Sequence, residues 1–173
     1  MKNTHVAVVV GNPKPRSRTY ESALTLADRL GGADVVVDLA DHASELFDWS
    51  SEAVAGLVDR VVASRLLVVA SPTYKATYTG LLKAFLDRFP HQGLAGVTAV
   101  PLMLGASHAH ALAPEHGLRP VLVELGASVP TRGLYVLDAE HVDAAAYDTW
   151  FASARPFLPV IPPAPETTQA VPA

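Results

Sequence analysis

Five short apolar runs recur along the chain, at residues 6–10, 34–39, 66–70 and 97–104 and, more weakly, at 128–137. They are apolar on consecutive positions. A strand with one wet face alternates, whereas consecutive apolar residues suit strands buried on both faces, in a parallel sheet covered by helices. The segments between them carry the helical period. Val54, Leu57, Val58, Val61 and Val62 follow i, i+3, i+4, i+7, i+8, with Ser50 or Ser51 placed to cap. Leu81, Leu82, Phe85, Leu86 and Phe89 form a second stripe, with Lys83, Asp87 and Arg88 on its wet side. Residues 20–30 predict a first helix closed by Gly31 and Gly32, and residues 142–154 a last one docked through Tyr147, Trp150 and Phe151. Residues 110–125 predict a further helix ended by Gly126, which Pro114 and Pro120 interrupt or kink.

Strand–helix alternation with five strands predicts an open, doubly wound α/β sheet in one domain over residues 1–154. Residues 155–173 (RPFLPVIPPAPETTQAVPA) put prolines where no helix interior holds them, so a proline-rich tail is expected. Packing of that segment on its own body or on a partner subunit is the alternative. A chain of 173 residues can bury a full core without staples. Thirteen Lys and Arg against 17 Asp and Glu leave −4 and no basic block, which argues against nucleic acid as a partner. The absence of cysteine excludes disulfides, thiolate metal sites and thiol nucleophiles, and fits a reducing, cytoplasmic setting. The run at 6–10 is too short for a signal-peptide core, and no stretch nears the ~20 apolar residues of a membrane span. No membrane association is expected.

Ligands of such sheets bind beyond the carboxyl ends of the strands, where the strand order reverses. Three loops there carry chemistry. The first, GNPKPRSRT, follows a buried strand and opens a helix. Gly11 permits the turn, Ser17 and Thr19 set hydroxyls beside the free helix amides, and Lys14, Arg16 and Arg18 supply cations, which together make a phosphate cradle. An ordinary strand–helix turn with a Ser or Thr cap is the plainer reading. No Gly-Lys-Ser/Thr closes the loop and it holds one glycine, so neither a triphosphate loop nor a dinucleotide fingerprint is present. The second, SPTYKATYTG, offers Pro72, Tyr74 and Tyr78 as flat walls for a planar ring, or as packing for the helix start. The third, GASHAH, allows close approach at Gly105 and contact from Ser107 and His108. His108 and His110 stand too close in sequence, with no carboxylate before Glu115, so no metal site is expected. A phosphate at the first loop and a ring between the other two describe a mononucleotide across the switch point, and FMN suits this sheet.

The stretch SPTYKATYTGLLKAFLDRFP closely resembles the NAD(P)H-dependent FMN reductases of the flavodoxin-like superfamily, the reductase components of two-component alkanesulfonate and methanesulfonate monooxygenases. GASHAHALAPEHGLRPVL resembles the next block of that family and GNPKPRSRT its phosphate loop, so the resemblance covers about residues 5–138. It implies a five-stranded parallel sheet in the order 2-1-3-4-5. It also implies FMN with NADPH or NADH as hydride donor, and a homodimer or homotetramer. By position, Ser17 and Thr19 fall on phosphate-binding positions. Pro72, Thr73, Tyr74 and Lys75 fall on the flavin-ring loop, as do Gly105 and Ser107. Asn12 stands where Ser is common and Lys14 where Arg is common, which exchanges a bidentate fork for a point charge. Arg18, Tyr78 and His108 complete the expected binding set. His116 falls where family members that use flavin as a substrate carry an inserted residue, which widens the helix into a π-bulge at a tetramer interface; a surface histidine near a proline kink is the alternative.

The resemblance implies hydride transfer from nicotinamide to flavin, chemistry that belongs to the cofactor, so no side chain is named as catalytic. Reduced flavin would then pass to a partner monooxygenase. Two rival readings are a tightly bound FMN enzyme reducing quinone, azo or pathway substrates, and a flavodoxin-like electron carrier. A carrier usually has a more acidic surface than −4 suggests.

Overall fold

A computed structural model of the chain describes residues 4–161. Its elements run β1 (Thr4–Val10), α1 (Arg18–Arg29), β2 (Val35–Asp38), α2 (Glu52–Val62), β3 (Ser64–Pro72), α3 (Gly80–Leu86), β4 (Thr98–Gly105), α4 (Arg119–Glu124), β5 (Leu134–Leu137) and α5 (Ala144–Ala154). The five strands are parallel in the order β2-β1-β3-β4-β5. Val8 lies opposite Val36 of β2 and Val68 of β3, and Val68 opposite Val100 of β4. The chain leaves β1 toward β2 and returns on the other side as β3, so the switch point lies between β1 and β3.

The consecutive apolar residues serve two cores. Ala7, Val9, Leu67, Val69, Ala99 and Met103 face one layer, where Val54, Val58 and Val61 of α2 and Phe85 of α3 close over them. Val6, Val8, Val10, Val68, Ala70, Val100 and Leu102 face the other, against Ala23 and Leu26 of α1 and Tyr147 and Trp150 of α5. Leu39 and Leu46, on the segment after β2, join the first core.

Side-chain caps fix where helices begin. Ser17 accepts from Tyr20 N–H at 3.3 Å and starts α1 earlier than the apolar period suggests. Ser51, not Ser50, caps α2, accepting from Val54 N–H at 3.2 Å. The helix expected over 110–125 is divided: a 3-10 turn at His108–His110, a π-helix at Pro114–Leu118, then α4. Pro120 has no N–H to give the His116 carbonyl, and Arg119 N–H donates instead to Pro114 O, an i to i+5 bond. The strand expected over 128–137 shortens to β5 because Pro130 lacks a ladder donor; Ser128 keeps only an isolated bridge to Thr98. Packing continues beyond the boundary expected at residue 154. Leu158 is buried in the second core and Ile161 packs against it, so the body reaches residue 161. The rest of the expected tail lies outside the described residues. Among those residues no helix is long and apolar enough to cross a membrane.

Candidate functional site

The loop after β1 is held by its own polar groups before any ligand is considered. Asn12 is buried; its Oδ1 accepts from Lys14 N–H at 2.9 Å and its Nδ2 donates to Thr19 Oγ1 at 3.0 Å. Ser17 and Thr19 are buried too, at the first turn of α1. Each hydroxyl accepts one bond within the loop and keeps its proton to donate. The first-turn amides of α1 have no intrahelical acceptor. Arg16 takes a left-handed backbone, φ 49°. Asp38, at the end of β2, holds it there: Oδ2 accepts from Arg16 N–H at 2.9 Å and from its guanidinium at 2.7 Å. Asp41 takes the other side of the guanidinium at 2.8 Å. The three cations expected at the cradle are therefore divided. Arg16 is committed to two carboxylates, and Lys14 and Arg18 have no ion-pair partner among the described residues.

The second loop is bolted to the first through the α3 cap. Thr79 Oγ1 donates to Gly11 O at 2.5 Å and accepts from Leu82 N–H at 3.1 Å, while Ser71 Oγ accepts from Thr79 N–H. A Cβ on Gly11 would collide with the Leu82 side chain, so glycine here permits α3 to approach β1. Between Tyr74 and Thr77 the chain reverses in two residues, with bonds in both directions at 2.9 and 3.2 Å. Lys75 and Ala76 both have positive φ, 52° and 71°, a type I′ turn made without the usual Asn-Gly. Left-handed non-glycine residues store backbone strain, which concentrates at ligand sites. Thr73 N–H donates to Leu104 O at 2.6 Å and ties this loop to the end of β4. The third loop is braced by Tyr135, whose hydroxyl donates to Ser107 O at 2.8 Å and lies directly over Gly105, where a Cβ would strike it. Burial above all holds the Tyr135 phenol pKa above its usual value; the Thr73 hydroxyl beside it acts in the opposite sense.

Two cavities result. One, of about 250 Å³, is lined by Asn12, Lys14, Ser17, Arg18, Thr19, Pro72 and Tyr74, joined by Asp138. The other, of about 320 Å³, is lined by Ala76, the 108–113 segment and His116. The structure thus brings the expected phosphate set except Arg16 together with Pro72 and Tyr74, and sets His108 and His116 around the second cavity; Thr73, Lys75, Gly105 and Ser107 line neither. Tyr74 is exposed as a free wall. Tyr78 lines neither cavity. It packs on the first core and faces Gly117 of the π-helix, which is the helix-start packing. His116 sits inside the π-helix, which is pinned from its neighbours: Glu115 accepts from Gly133 N–H and pairs with Arg119 at 3.2 Å, and Arg119 donates to Val129 O and Thr131 O.

Asp138 and Tyr135 are absent from the sequence expectations. Both belong to the fifth strand and the turn after it. The rule that pointed to the other loops, the carboxyl end of a strand, applies equally to Asp138, the residue directly after the strand expected over 128–137. As chemistry, the first cavity offers buried hydroxyls, helix amides and two free cations beside a flat wall, a donor set suited to a phosphate monoester carrying a ring.

Comparison with known proteins gives one consistent answer. A family model described as NADPH-dependent FMN reductase matches residues 4–142. FMN reductase (NADPH) of Escherichia coli strain K12 is 33% identical, over 80% of this chain and 75% of its own. The NADH-dependent FMN reductase SfnF of Pseudomonas putida is 36% identical over 75% of each. The apo structure of the NADH:FMN oxidoreductase EmoB superposes with a TM-score of 0.78 at 32% identity, covering 92% of both chains. On its loops, its strand order and this match, the chain belongs to the NADPH-dependent FMN reductase family.

Proposed function

We propose that the protein takes a hydride from NADH or NADPH, passes it to FMN, and releases the reduced flavin to a separate flavin-dependent monooxygenase. The observation that carries this reading is the cavity at the β1–β3 switch point, where two buried hydroxyls with uncommitted protons and two unpaired cations face the Pro72 and Tyr74 wall. These residues fit FMN. A phosphate monoester presents several acceptor oxygens and a charge near −2, and finds here donors, amides and cations in one place. FMN reductases among the relatives support the activity, and the name of SfnF supports NADH as one donor.

When bound, FMN would supply the hydride-accepting chemistry. The chain's own part is placement. Ser17 and Thr19 would donate to the phosphate and Lys14 and Arg18 would balance its charge, while Asn12 keeps Thr19 oriented. Pro72, Thr73, Tyr74 and Lys75 would hold one side of a bound ring, and Gly105, Ser107 and His108 would hold another. The bond from Thr73 to Leu104 and the Tyr135 brace keep these two loops in register before substrate arrives, which lowers the ordering cost of the encounter. The π-helix around His116 is assigned to a subunit interface of a homodimer or homotetramer.

The test is NADH and NADPH oxidation by the purified protein, with and without added FMN. Oxidation that requires added FMN, from a preparation that is colourless, supports flavin as substrate. Yellow protein that keeps its flavin through dialysis contradicts it. For the partner, a flavin-dependent monooxygenase freed of its own reductase should form product with NADH and FMN only when this chain is added.

A further inference from the structure

We infer that Asp138 keeps FMN exchangeable, its carboxylate opposing the phosphate and loosening the grip of the cradle. The inference rests on the flavin-reductase reading above. Asp138 lines the same cavity as Lys14, Arg18, Ser17 and Thr19. Its carboxylate accepts no hydrogen bond from, and pairs with no cation among, the described residues, although Lys14 and Arg18 border the same space. The remaining cation of the loop, Arg16, is withdrawn by Asp38 and Asp41. A loop that carries three cations in sequence therefore presents two of them with one opposing carboxylate. A phosphate dianion meets far less positive charge than the sequence of the loop suggests.

The backbone that carries the carboxylate is held in place. The Asp138 carbonyl bonds to His141 Nδ1 at 2.9 Å, and His141 Nε2 meets Glu21 Oε2 of α1 at 2.8 Å. Tyr147 donates to His141 O and shares a 2.7 Å bond with Ser22, again on α1. The helix whose first turn forms the cradle is therefore the helix that anchors the Asp138 turn. The brace fixes the backbone that carries Asp138 beside the cradle, so only rotation of its own side chain can move the carboxylate. A protein built to retain FMN gains nothing from such a group, whereas one that must release its product gains a faster off-rate.

The experiment measures dissociation constants of FMN and riboflavin by quenching of flavin fluorescence, for the wild type, Asp138→Asn and Asp138→Ala, with thermal melts to show that the variants are folded. Riboflavin lacks the phosphate and reports everything else. Both variants are expected to bind FMN about tenfold more tightly, since removing one unit charge facing a dianion at short range has that order of effect in a wet site. Riboflavin should stay within about twofold, and the gain for FMN should shrink in high salt. Equal weakening of both flavins would make Asp138 an acceptor for a ribityl hydroxyl and overturn the inference. Unchanged FMN affinity would overturn it as well. A wild type that binds neither flavin overturns the flavin-reductase reading, and this inference falls with it.

Discussion

Lys14, Arg16 and Arg18 alternate along one loop, yet the fold gives them different partners. Arg16 closes the loop onto Asp38 and Asp41, and the other two face the cavity. The hydroxyls beside them are equally specific. Ser17→Ala with Thr19→Ala should weaken FMN by ~1–3 kcal/mol, as for hydrogen bonds to a charged group, and riboflavin much less. Titration of both flavins decides it, and equal losses would reduce the pair to a helix cap. Ser17 and Thr19 were legible because strand, Gly11, hydroxyls and helix are contiguous in the chain. Asp138 and Tyr135 were not, because they reach the site only through tertiary pairing of a strand that Pro130 shortens. Tyr147 is a second residue whose duty lies off the local pattern: it reads as a docking aromatic, yet its buried hydroxyl joins Ser22 to His141. Its phenol pKa is raised, chiefly by burial, with the Ser22 bond and the Arg29 charge opposing. A raised value means that the folded chain keeps this proton where the unfolded chain has lost it. The contribution is whole below the usual tyrosine value of about 10 and is lost as pH climbs through the folded value. Tyr147→Phe should cost ~1–3 kcal/mol near neutrality, since Ser22 is left buried without a partner. Melting curves at rising pH should fall less steeply above about pH 10 for Tyr147→Phe than for the wild type.

Two elements carry local geometry that their neighbours impose. The turn at Lys75 and Ala76 holds two side-chain-bearing residues in a left-handed backbone that costs roughly 1–2 kcal/mol each. Lys75→Asn with Ala76→Gly supplies the residues that a type I′ turn favours, and should raise stability by about 1 kcal/mol in denaturant titrations once the added chain entropy of glycine is counted. A loss instead would show that the side chains at this turn pack more than they strain. The other element is the π-helix Pro114–Leu118. Deleting His116 would convert the Arg119 to Pro114 bond from i+5 to i+4 and restore an α-helical turn. A folded deletion variant is expected to retain FMN through purification, to lose flavin turnover and to change oligomeric state by light scattering. Normal release and turnover would detach the wide turn from flavin exchange. Four strands were legible because burial on both faces leaves an unbroken apolar signature, and the fifth only weakly because alternate residues of β5 are half-exposed. In the divided helix over 108–124 the prolines alone marked only an interruption, since they do not say whether the ladder kinks, tightens or widens; the widening was legible through the family resemblance at His116.

At the scale of the whole molecule, two apolar layers close a parallel sheet, and the C-terminal segment completes one of them. The prolines after Arg155 signalled the end of helix, which they are, and also the end of the body, which they are not. After the 3-10 turn at Arg155–Phe157, Leu158 is 6% exposed within the layer that holds Leu30, Trp150 and Ala154. Ile161 then packs at the C-terminal end of α1, where a Cβ on Gly31 would lie 3.2 Å from its Cγ2. Prolines forbid the helix interior but leave apolar side chains free to dock from an extended backbone, which a reading based on helical period does not register. A chain ending at Ala154 loses both anchors, whereas one ending at Ile161 keeps them. Burying an aliphatic side chain of this size is worth ~1.5–3 kcal/mol, so the shorter form should be less stable than the longer by about 2–5 kcal/mol, Ile161 being only partly covered. Urea unfolding of the two truncated forms measures the difference. The phosphate cradle sits at the opposite end of α1, so FMN affinity should be similar in both wherever both remain folded. Equal midpoints would mean that Leu158 and Ile161 merely rest on the surface of a layer already closed by α1 and α5.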